Sequence, residues 1–257
     1  MHVAITGASS GIGEALAREY GRHGAKLTLV ARREELLRRI AAEIGGHVFV
    51  VTHDLSLSDR ADGWIAASEA AHGPIDVLVN NAGIENTGPT ADADVEEAER
   101  VLHTNLHTPL RLMRSLAPAM IARGSGIFVN VASVAALAPT PLQAWYGASK
   151  AGLAAFSEAF RGELKGTGVQ VVTVYPGPVT TAMADRAYAA FGGRKGTVGL
   201  MPEGRPEVLA RLVRRAVEKH KARVIYPRFY VITRLFPWLA RWLVDAGSPR
   251  PYVRGKS

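Results

Sequence analysis

Short runs of apolar residues alternate with amphipathic stretches along most of this chain. The apolar runs predict strands at 2–6, 27–31, 48–51, 75–79, 127–131, 169–174 and 222–227. Between them, apolar positions three and four residues apart predict helices at 14–23, 34–44, 61–71, 94–112 and 144–165, and another helix that ends near 123. Continuous apolar strands that alternate with helices are typical of a parallel sheet covered on both faces. We therefore expect a single α/β domain with a doubly wound, Rossmann-like sheet and ligands at the carboxyl ends of its strands.

The composition excludes several kinds of chemistry. None of the 257 residues is cysteine, so disulfides, thiolate metal sites and cysteine nucleophiles are excluded, and we expect no metal centre. No apolar run reaches the ~18 residues that span a bilayer. The first strand follows Met1 directly, with no recognisable signal peptide ahead of it. Together these features predict a cytoplasmic protein.

The positive charge is concentrated near the C-terminus. The formal net charge is +8, and residues 194–257 contain 15 basic and 4 acidic residues, whereas the rest of the chain is slightly acidic. A protein that binds nucleic acid is usually basic over a whole face. A localised excess instead favours an anionic membrane surface, a subunit contact or an anionic ligand, and we expect no binding to nucleic acid.

A glycine-rich loop joins the first strand to the first helix. Its glycines follow the spacing Gly-x-x-x-Gly-x-Gly, which lets the backbone approach a pyrophosphate at the N-terminus of a helix. Taken alone, the loop is also compatible with a simple tight turn. In its strand–loop–helix context we predict a dinucleotide site formed by Gly7, Ser9, Ser10, Gly11, Ile12 and Gly13.

The end of the second strand indicates which dinucleotide is bound. NAD sites place an acidic residue there, whereas arginine suits the 2′-phosphate of NADP. This chain has Arg32 and Arg33 at that point and no acid until Glu34. The arginines could simply be a solvated helix start, but cations are unfavourable near a helix N-terminus. We therefore predict NADP(H) as cofactor, with Arg32 at the phosphate.

A tyrosine and a lysine stand four residues apart on a predicted helix, with a serine upstream. Tyr146 and Lys150 share one helix face, and Ser133 follows the fifth strand. A nearby positive charge lowers the pKa of a phenol, so we expect Lys150 to lower the pKa of Tyr146. Tyr146 would then be a general acid/base for an alcohol or carbonyl oxygen.

With these residues the chain resembles the short-chain dehydrogenase/reductase family. The matching motifs occur in family order over about the first 185 residues: Thr6-Gly7-x3-Gly11-x-Gly13, Asp54-Leu55, Asn80-Asn81-Ala82-Gly83, Asn105, Ser133, Tyr146-x3-Lys150 and Pro176-Gly177. The resemblance implies that Ser133 bonds the substrate oxygen, Tyr146 exchanges its proton, Lys150 binds the nicotinamide ribose and Asn105 holds a water of the proton relay. It also implies further cofactor contacts, with Asn81 structural: Asp54, Leu55, Asn80, Gly83, Tyr146, Lys150, Pro176, Gly177, Val179 and Thr181.

The resemblance implies an NADP(H)-dependent oxidoreductase that interconverts a carbonyl and a secondary alcohol, as a homodimer or homotetramer. The alternative is an inactive NADP(H)-binding regulatory or interaction protein. We expect the catalytic domain to span 1–227, with a substrate loop at 181–201 that contains the hinge-like Gly192, Gly193 and Gly196.

The side chains expected around the substrate are mostly apolar. Ala135, Leu137, Trp145 and Met183 predict an apolar pocket, and Glu85 and Gln143 are its expected polar members. This composition favours a lipophilic ketone or secondary alcohol. Alternatively, Arg194, Lys195 and Arg205 could bind an anionic handle such as the phosphates of an acyl-CoA.

The last residues, 228–257, form a basic amphipathic extension. Apolar residues at helical spacing include Ile232, Leu235, Leu239 and Trp242, and Pro237 predicts a helix start or kink. Such a helix could pack on its own domain or on a partner subunit. It could also lie on a membrane, which would make the protein peripheral at the inner membrane surface.

Overall fold

Seven parallel strands form one sheet in the order β3-β2-β1-β4-β5-β6-β7. The computed structural model describes residues 1–56, 60–190, 193 and 202–248. The strands are β1 (His2–Thr6), β2 (Lys26–Ala31), β3 (Val48–Thr52), β4 (Val77–Asn80), β5 (Gly126–Val131), β6 (Val169–Pro176) and β7 (Arg223–Tyr226). This confirms the predicted doubly wound sheet. The strand order reverses between β1 and β4, where such sheets bind ligands.

Helices cover both faces of the sheet. They are α1 (Gly11–Arg22), α2 (Glu34–Ile44), α3 (Ile65–His72), α4 (Val95–Leu102), α5 (Thr108–Ala122), α6 (Ala144–Glu163), α7 (Ala182–Ala190), α8 (Pro206–Glu218), α9 (Val231–Leu235) and α10 (Pro237–Gly247). Leu16, Leu37 and Leu209 bury α1, α2 and α8 against one face. Leu116 and Leu153 bury α5 and α6 against the other. Each fully buried leucine contributes about 1.5–3 kcal/mol relative to an exposed one.

The helical layer differs from the prediction in two places. The helix expected at 94–112 is divided, because a π-helical segment at His103–His107 separates α4 from α5. Helix α8 was not predicted, although Pro206 at its N-terminus and Leu209, Val213 and Val217 on its buried side give a clear helical pattern.

The expected substrate loop is described only in part. Its first residues form α7. Phe191, Gly192 and the segment 194–201, which includes Arg194, Lys195 and Gly196, lie outside the described residues, as does the end of the chain from 249. Arg205 is exposed and pairs with Glu207.

The C-terminal segment crosses the carboxyl edge of the sheet and then leaves much of its apolar surface exposed. The Tyr230 ring packs so closely on Gly177 that a Cβ there would stand 2.5 Å from a ring carbon. Nη1 of Arg241 donates to the backbone oxygen of Pro139 at 2.8 Å. Beyond these anchors, Trp238 and Trp242 on α10 are 71% and 62% exposed. The extension therefore contacts Gly177 and Pro139, and its apolar stripe is divided, with Ile232 and Leu239 partly buried and Leu235 and Trp242 exposed.

Candidate active site

The glycine loop after β1 fits closely against the neighbouring strand end. Gly7 has φ of +67°, and a Cβ there would lie 2.7 Å from the Cα of Ala82. A Cβ on Gly13 would lie 2.3 Å from the backbone oxygen of Gly7. The first turn of α1 can therefore lie directly under the loop only because both positions lack side chains. This is the cradle that a pyrophosphate requires.

A network of hydrogen bonds holds this loop to the end of β4. Nδ2 of Asn81 donates to the backbone oxygens of Thr6 and Gly7, at 3.0 and 3.2 Å. Oγ1 of Thr6 accepts from the backbone nitrogens of Asn81 and Ala82. Asn81 therefore has the structural role that the sequence predicts.

Of the two arginines after β2, Arg33 contacts the glycine loop and Arg32 acts on Asp54. Nη2 of Arg33 donates to Oγ of Ser9 at 2.9 Å and to Oγ of Ser10 at 2.8 Å. Burial tends to raise the pKa of Asp54, but the hydrogen bonds that Ser56 donates to it and the charge of Arg32 lower this pKa overall. The sequence predicts Arg32 as the phosphate ligand, and the geometry adds Arg33 because it connects the end of β2 to the glycine loop.

Two predicted cofactor residues turn their side chains inward. Asn80 is 2% exposed, and its Nδ2 donates to Oδ1 of Asn130 at 2.8 Å inside the sheet. Leu55 is 5% exposed and belongs to the core under α5. Their side chains therefore line the core rather than an open cleft, which leaves only their backbone groups for contact with a cofactor.

Gly83 lies where the end of β4 meets two of the predicted catalytic residues. A Cβ on it would stand 3.1 Å from Oδ1 of Asn105 and 3.3 Å from Nζ of Lys150. The amide of Asn105 bonds both backbone groups of Ile84 at 2.8 Å, since Oδ1 accepts from its nitrogen and Nδ2 donates to its oxygen. The π-helical segment thus presents Asn105, which is fully buried, to the chain leaving β4.

The Asn105 amide is also joined to the helix that carries the tyrosine. Its Nδ2 donates to Oγ of Ser149 at 3.0 Å, and that hydroxyl donates to the backbone oxygen of Tyr146 at 2.7 Å. Nζ of Lys150 donates to the backbone oxygen of Val131 at 2.8 Å. These bonds connect α6, β5 and the π-helical segment at one edge of the sheet.

Ser133 and Tyr146 interact directly. Ser133 follows β5 and is 8% exposed, and its Oγ accepts from the backbone nitrogen of Ala135 at 3.1 Å. It also hydrogen-bonds the phenol of Tyr146, which lowers the pKa of that phenol. The serine therefore has both the local backbone bond that is common after a strand and the contact that the resemblance implies.

The pKa of Tyr146 shifts in the opposite direction to the prediction. Burial raises it to about 12, the bond with Ser133 opposes this shift, and the charge of Glu85 adds to it. Burial also lowers the pKa of Lys150 to about 8. Nζ of Lys150 lies 5.9 Å from the centroid of the Tyr146 ring. The expectation that Lys150 lowers this pKa is therefore wrong for the protein alone, because desolvation of the phenolate dominates.

The segment after β6 returns to the glycine loop. Gly177 follows Pro176, and its backbone nitrogen donates to the oxygen of Tyr226 at 2.7 Å. Val179 is 4% exposed, and Thr181 lies so close to Gly11 that a Cβ on the glycine would stand 3.2 Å from its Cγ2. The predicted carboxamide-binding segment and the predicted pyrophosphate loop therefore adjoin, as one extended dinucleotide requires.

Some contributors to the site were missed by sequence reasoning. Ser149 and Asn130 act through buried hydrogen bonds, which no local pattern reveals. Arg33 follows the second strand as directly as Arg32 does, so its position alone could have made it a second candidate for the phosphate. Among the described residues, no group of three or more His, Asp or Glu side chains could hold a metal ion.

Comparison with known proteins supports the same assignment. The family model of short chain dehydrogenases matches residues 1–190. A short chain dehydrogenase from Pseudocercospora fijiensis is 39% identical over 184 residues, which cover 70% of this chain and 60% of the relative. A fatty acyl-CoA reductase from Mycobacterium tuberculosis is 40% identical over 187 residues, covering 70% and 64%. The chain thus matches less than two thirds of the length of these two relatives.

Solved structures show the same architecture. A variant of the actinorhodin polyketide ketoreductase in complex with NADPH superimposes with a TM-score of 0.80 at 31% identity, covering 88% of this chain and 95% of that one. The family model matches well over half of the chain, and the chain belongs to the short-chain dehydrogenase/reductase family of oxidoreductases.

Proposed function

We propose that this protein is an NADP(H)-dependent oxidoreductase that interconverts a carbonyl and a secondary alcohol. The observation that carries the proposal is the junction at Gly83, where Asn105 and Lys150 meet beside the helix of Tyr146. A binding protein without turnover, the alternative, would need the glycine loop but not a buried lysine and a serine-bonded tyrosine at the same edge.

The protein residues orient the substrate and move its proton. Bound NADP(H) would supply or accept the hydride at its nicotinamide. Ser133 donates a hydrogen bond to the substrate oxygen, and Tyr146 gives the proton that makes a carbonyl into an alcohol. A pKa near 12 keeps the phenol protonated at neutral pH, which suits its use as the acid in carbonyl reduction. Lys150 and Asn105 complete the path by which the phenol is reprotonated.

The cofactor would be held by the loop and the arginines described above. The Gly7–Gly13 backbone would receive the pyrophosphate, and Arg32 and Arg33 would hold the 2′-phosphate. The NADPH bound by the structural neighbour supports this choice. Charge-assisted bonds of this kind contribute about 1.5–3 kcal/mol.

A cofactor-preference assay tests the arginine assignment. Arg32→Asp should raise the KM for NADPH at least about tenfold and leave the KM for NADH nearly unchanged, whereas Arg33→Asp should raise both, and that for NADPH more, because Arg33 also holds Ser9 and Ser10 of the loop. Arg39→Asp alters the same charge farther along α2 and is the matched control. If the arginine variants and the control behave alike, the 2′-phosphate assignment is wrong.

Tyrosine-to-phenylalanine exchange tests the chemistry. Tyr146→Phe should lower kcat for ketone reduction about 10²- to 10⁴-fold, because it removes the general acid, and should preserve NADPH binding. Tyr20→Phe is the control, since this buried phenol has no hydrogen-bond partner among the described residues. Near-native turnover by Tyr146→Phe would refute the mechanism.

The substrate side of the site favours a lipophilic molecule. Ala135 is buried there, and Leu137, Trp145 and Met183 are partly buried. The fatty acyl-CoA reductase among the relatives also acts on a long apolar chain, as its name states. An NADPH-consumption screen over ketones graded by size and polarity would identify the preferred class.

We also propose that two copies associate through α5 and α6, as a homodimer or within a homotetramer. A groove between these helices is lined by Ala117, Pro118, Ile121, Phe156 and Phe160, with Arg114 and Glu163 beside it. Opposite charges on one patch suit a twofold contact, in which the arginine of one copy faces the glutamate of the other. Light scattering should give a dimer or tetramer that Ile121→Glu dissociates, whereas a wild-type monomer would refute this.

The exposed surface of residues 228–248 is proposed to dock on an anionic lipid surface. It comprises Phe229, Leu235, Phe236, Trp238, Trp242 and Leu243, each at least 48% exposed. Six basic residues and one acidic residue occur in 228–257, so charge favours anionic headgroups. Among the described residues no helix is long and apolar enough to cross a membrane, so contact would be peripheral.

Vesicle sedimentation tests the lipid proposal. The full chain should pellet with vesicles that contain phosphatidylserine, and the double variant Trp238→Ser/Trp242→Ser should remain in the supernatant. Val95→Ser is the control, because Val95 is equally exposed at 61% on another helix. A wild-type protein that stays in the supernatant refutes the proposal. If the double variant instead changes from an oligomer to a monomer, this surface belongs to an interface with a second copy.

A further inference from the structure

A carboxylate lies beside the catalytic tyrosine without a hydrogen-bond partner for one of its oxygens. Oε1 of Glu85 is fully inaccessible, and within the described part of the chain no donor bonds it. Burial raises the pKa of Glu85 to about 7, the guanidinium of Arg186 on α7 opposes this shift, and the ionised carboxylate acts on Tyr146. The carboxylate thus stands between the catalytic phenol and the helix that begins the substrate loop.

The backbone around Glu85 is fixed from both sides. Ile84, the preceding residue, has both of its backbone groups bonded to the amide of Asn105. Three residues after Glu85, the nitrogen of Gly88 donates to the oxygen of Leu142 at 2.8 Å. The backbone that carries Glu85 is therefore fixed on both sides, and its side chain is partly buried.

Two more polar atoms on these paired segments also lack partners among the described residues. They are Oγ1 of Thr87 and Nε1 of Trp145, both inaccessible. Leaving a buried polar group unsatisfied costs about 1–3 kcal/mol. A bound substrate with matching donors and acceptors would remove this cost.

We propose that Glu85 is a specificity-determining residue that accepts a hydrogen bond from a hydroxyl group on the substrate, close to the reacting carbonyl. The inference rests on the proposed function and narrows it to hydroxylated ketones, or the corresponding diols, with an apolar remainder. It gives Glu85, one of the two polar residues expected in the mostly apolar pocket, a defined role as a hydrogen-bond acceptor. A site built to bond a hydroxyl rejects the analogue that lacks it, since its own polar group is then left unpaired.

A pair of ketones that differ in one hydroxyl tests this inference. With NADPH, the wild type should have a kcat/KM for 2-hydroxyacetophenone at least about tenfold above that for acetophenone. Glu85→Leu should bring the ratio close to one, mainly through the hydroxyketone. Glu85→Gln, which keeps an acceptor oxygen, should give an intermediate ratio. Glu96→Leu, on the exposed side of α4, should leave the ratio unchanged.

The same ligands are also measured in binding, by saturation-transfer NMR on the NADPH-loaded protein. If the wild type reduces neither ketone, the proposed function has failed for these ligands, and the binding ratio of wild type and variants still decides the role of Glu85. Equal ratios in wild type and Glu85→Leu, in turnover or in binding, overturn the inference. Should Glu85→Leu not fold, an unchanged ratio in Glu85→Gln overturns it as well.

Discussion

Adding one methyl group to Gly13 should both destabilise the protein and damage its cofactor site. The new Cβ would stand 2.3 Å from the backbone oxygen of Gly7 and 2.5 Å from Nδ2 of Asn81, so the loop or the asparagine must move. Overpacking of this kind costs about 1–3 kcal/mol. Displacing Asn81 also weakens its bonds to the loop, each worth about 0.5–1.5 kcal/mol.

The greater helix propensity of alanine opposes this loss of stability. Replacing glycine by alanine inside a helix stabilises it by about 0.5–1 kcal/mol. The net expectation for Gly13→Ala is a loss of about 1–3 kcal/mol, and 1 kcal/mol corresponds to about 2–4 °C in Tm for a chain of this size. Gly162→Ala isolates the helical term, because a Cβ at that position of α6 meets no atom within 4 Å.

The measurement is urea unfolding followed by circular dichroism, with NADPH titration of the folded variants. Gly162→Ala should be slightly more stable than the wild type and bind NADPH normally. Gly13→Ala should be less stable and bind NADPH at least about tenfold more weakly, because the loop can no longer sit on the helix. If Gly13→Ala matched Gly162→Ala in both measurements, the close contact would not exist and the reasoning would be refuted.

Two further predictions follow from pKa shifts. The charge of Glu85 raises the pKa of Tyr146, and Arg186 on α7 favours this charge because it opposes the rise that burial causes in the pKa of Glu85. Glu85→Gln should therefore shift the rise in the rate of alcohol oxidation with NADP⁺ to lower pH. A pH profile that does not shift would contradict this. Burial tends to raise the pKa of Glu158, but hydrogen bonds from Arg223 and Arg161 outweigh it, so the pKa is lowered overall. The Glu158 carboxylate therefore stabilises the fold above its unfolded pKa of about 4.3, and this stabilisation is lost as the pH falls through the lower folded pKa. In urea unfolding, the free energy of unfolding of Glu158→Gln should fall less steeply with acid than that of the wild type. Identical pH profiles would exclude this coupling of protonation to stability.

The sheet was predictable because its strands are continuous apolar runs. Strands buried on both faces cannot alternate, so β1, β4 and β6 differ in composition from the helices around them. The predicted and observed strand ends differ by no more than two residues. Pro206 and the spacing of the apolar residues after it made α8 as predictable as the strands, although it was not predicted.

The division of the helix at 94–112 could not be predicted in the same way. No proline or glycine marks His103–His107, and the local residues suit an α-helix. The π-helical segment occurs where Asn105 bonds both backbone groups of Ile84, which is 21 residues away in the chain. A tertiary hydrogen bond therefore selects between two helical forms of similar local energy, and only the structure reports it.

The same limit applies to charges at the site. Sequence spacing placed Lys150 beside Tyr146 and predicted a lower phenol pKa, because a charge pair is visible at four-residue spacing. Burial was not visible, and although Glu85 was expected in the pocket, its effect on the pKa of Tyr146 was not predicted. The sign of the shift depends on desolvation and on this distant carboxylate, both of which are properties of packing.

The residues that decide the substrate lie where the family motifs end. Asn81 and Gly83 serve the cofactor cradle and the catalytic junction, and these positions carry little information about the substrate. Two residues beyond Gly83, the same backbone positions Glu85, whose unpaired oxygen has no use in holding the fold and a measurable cost. Under the proposed function, the substrate is therefore to be sought among ketones that supply the missing hydrogen bond to Glu85, because such a ligand removes the cost of the unpaired oxygen.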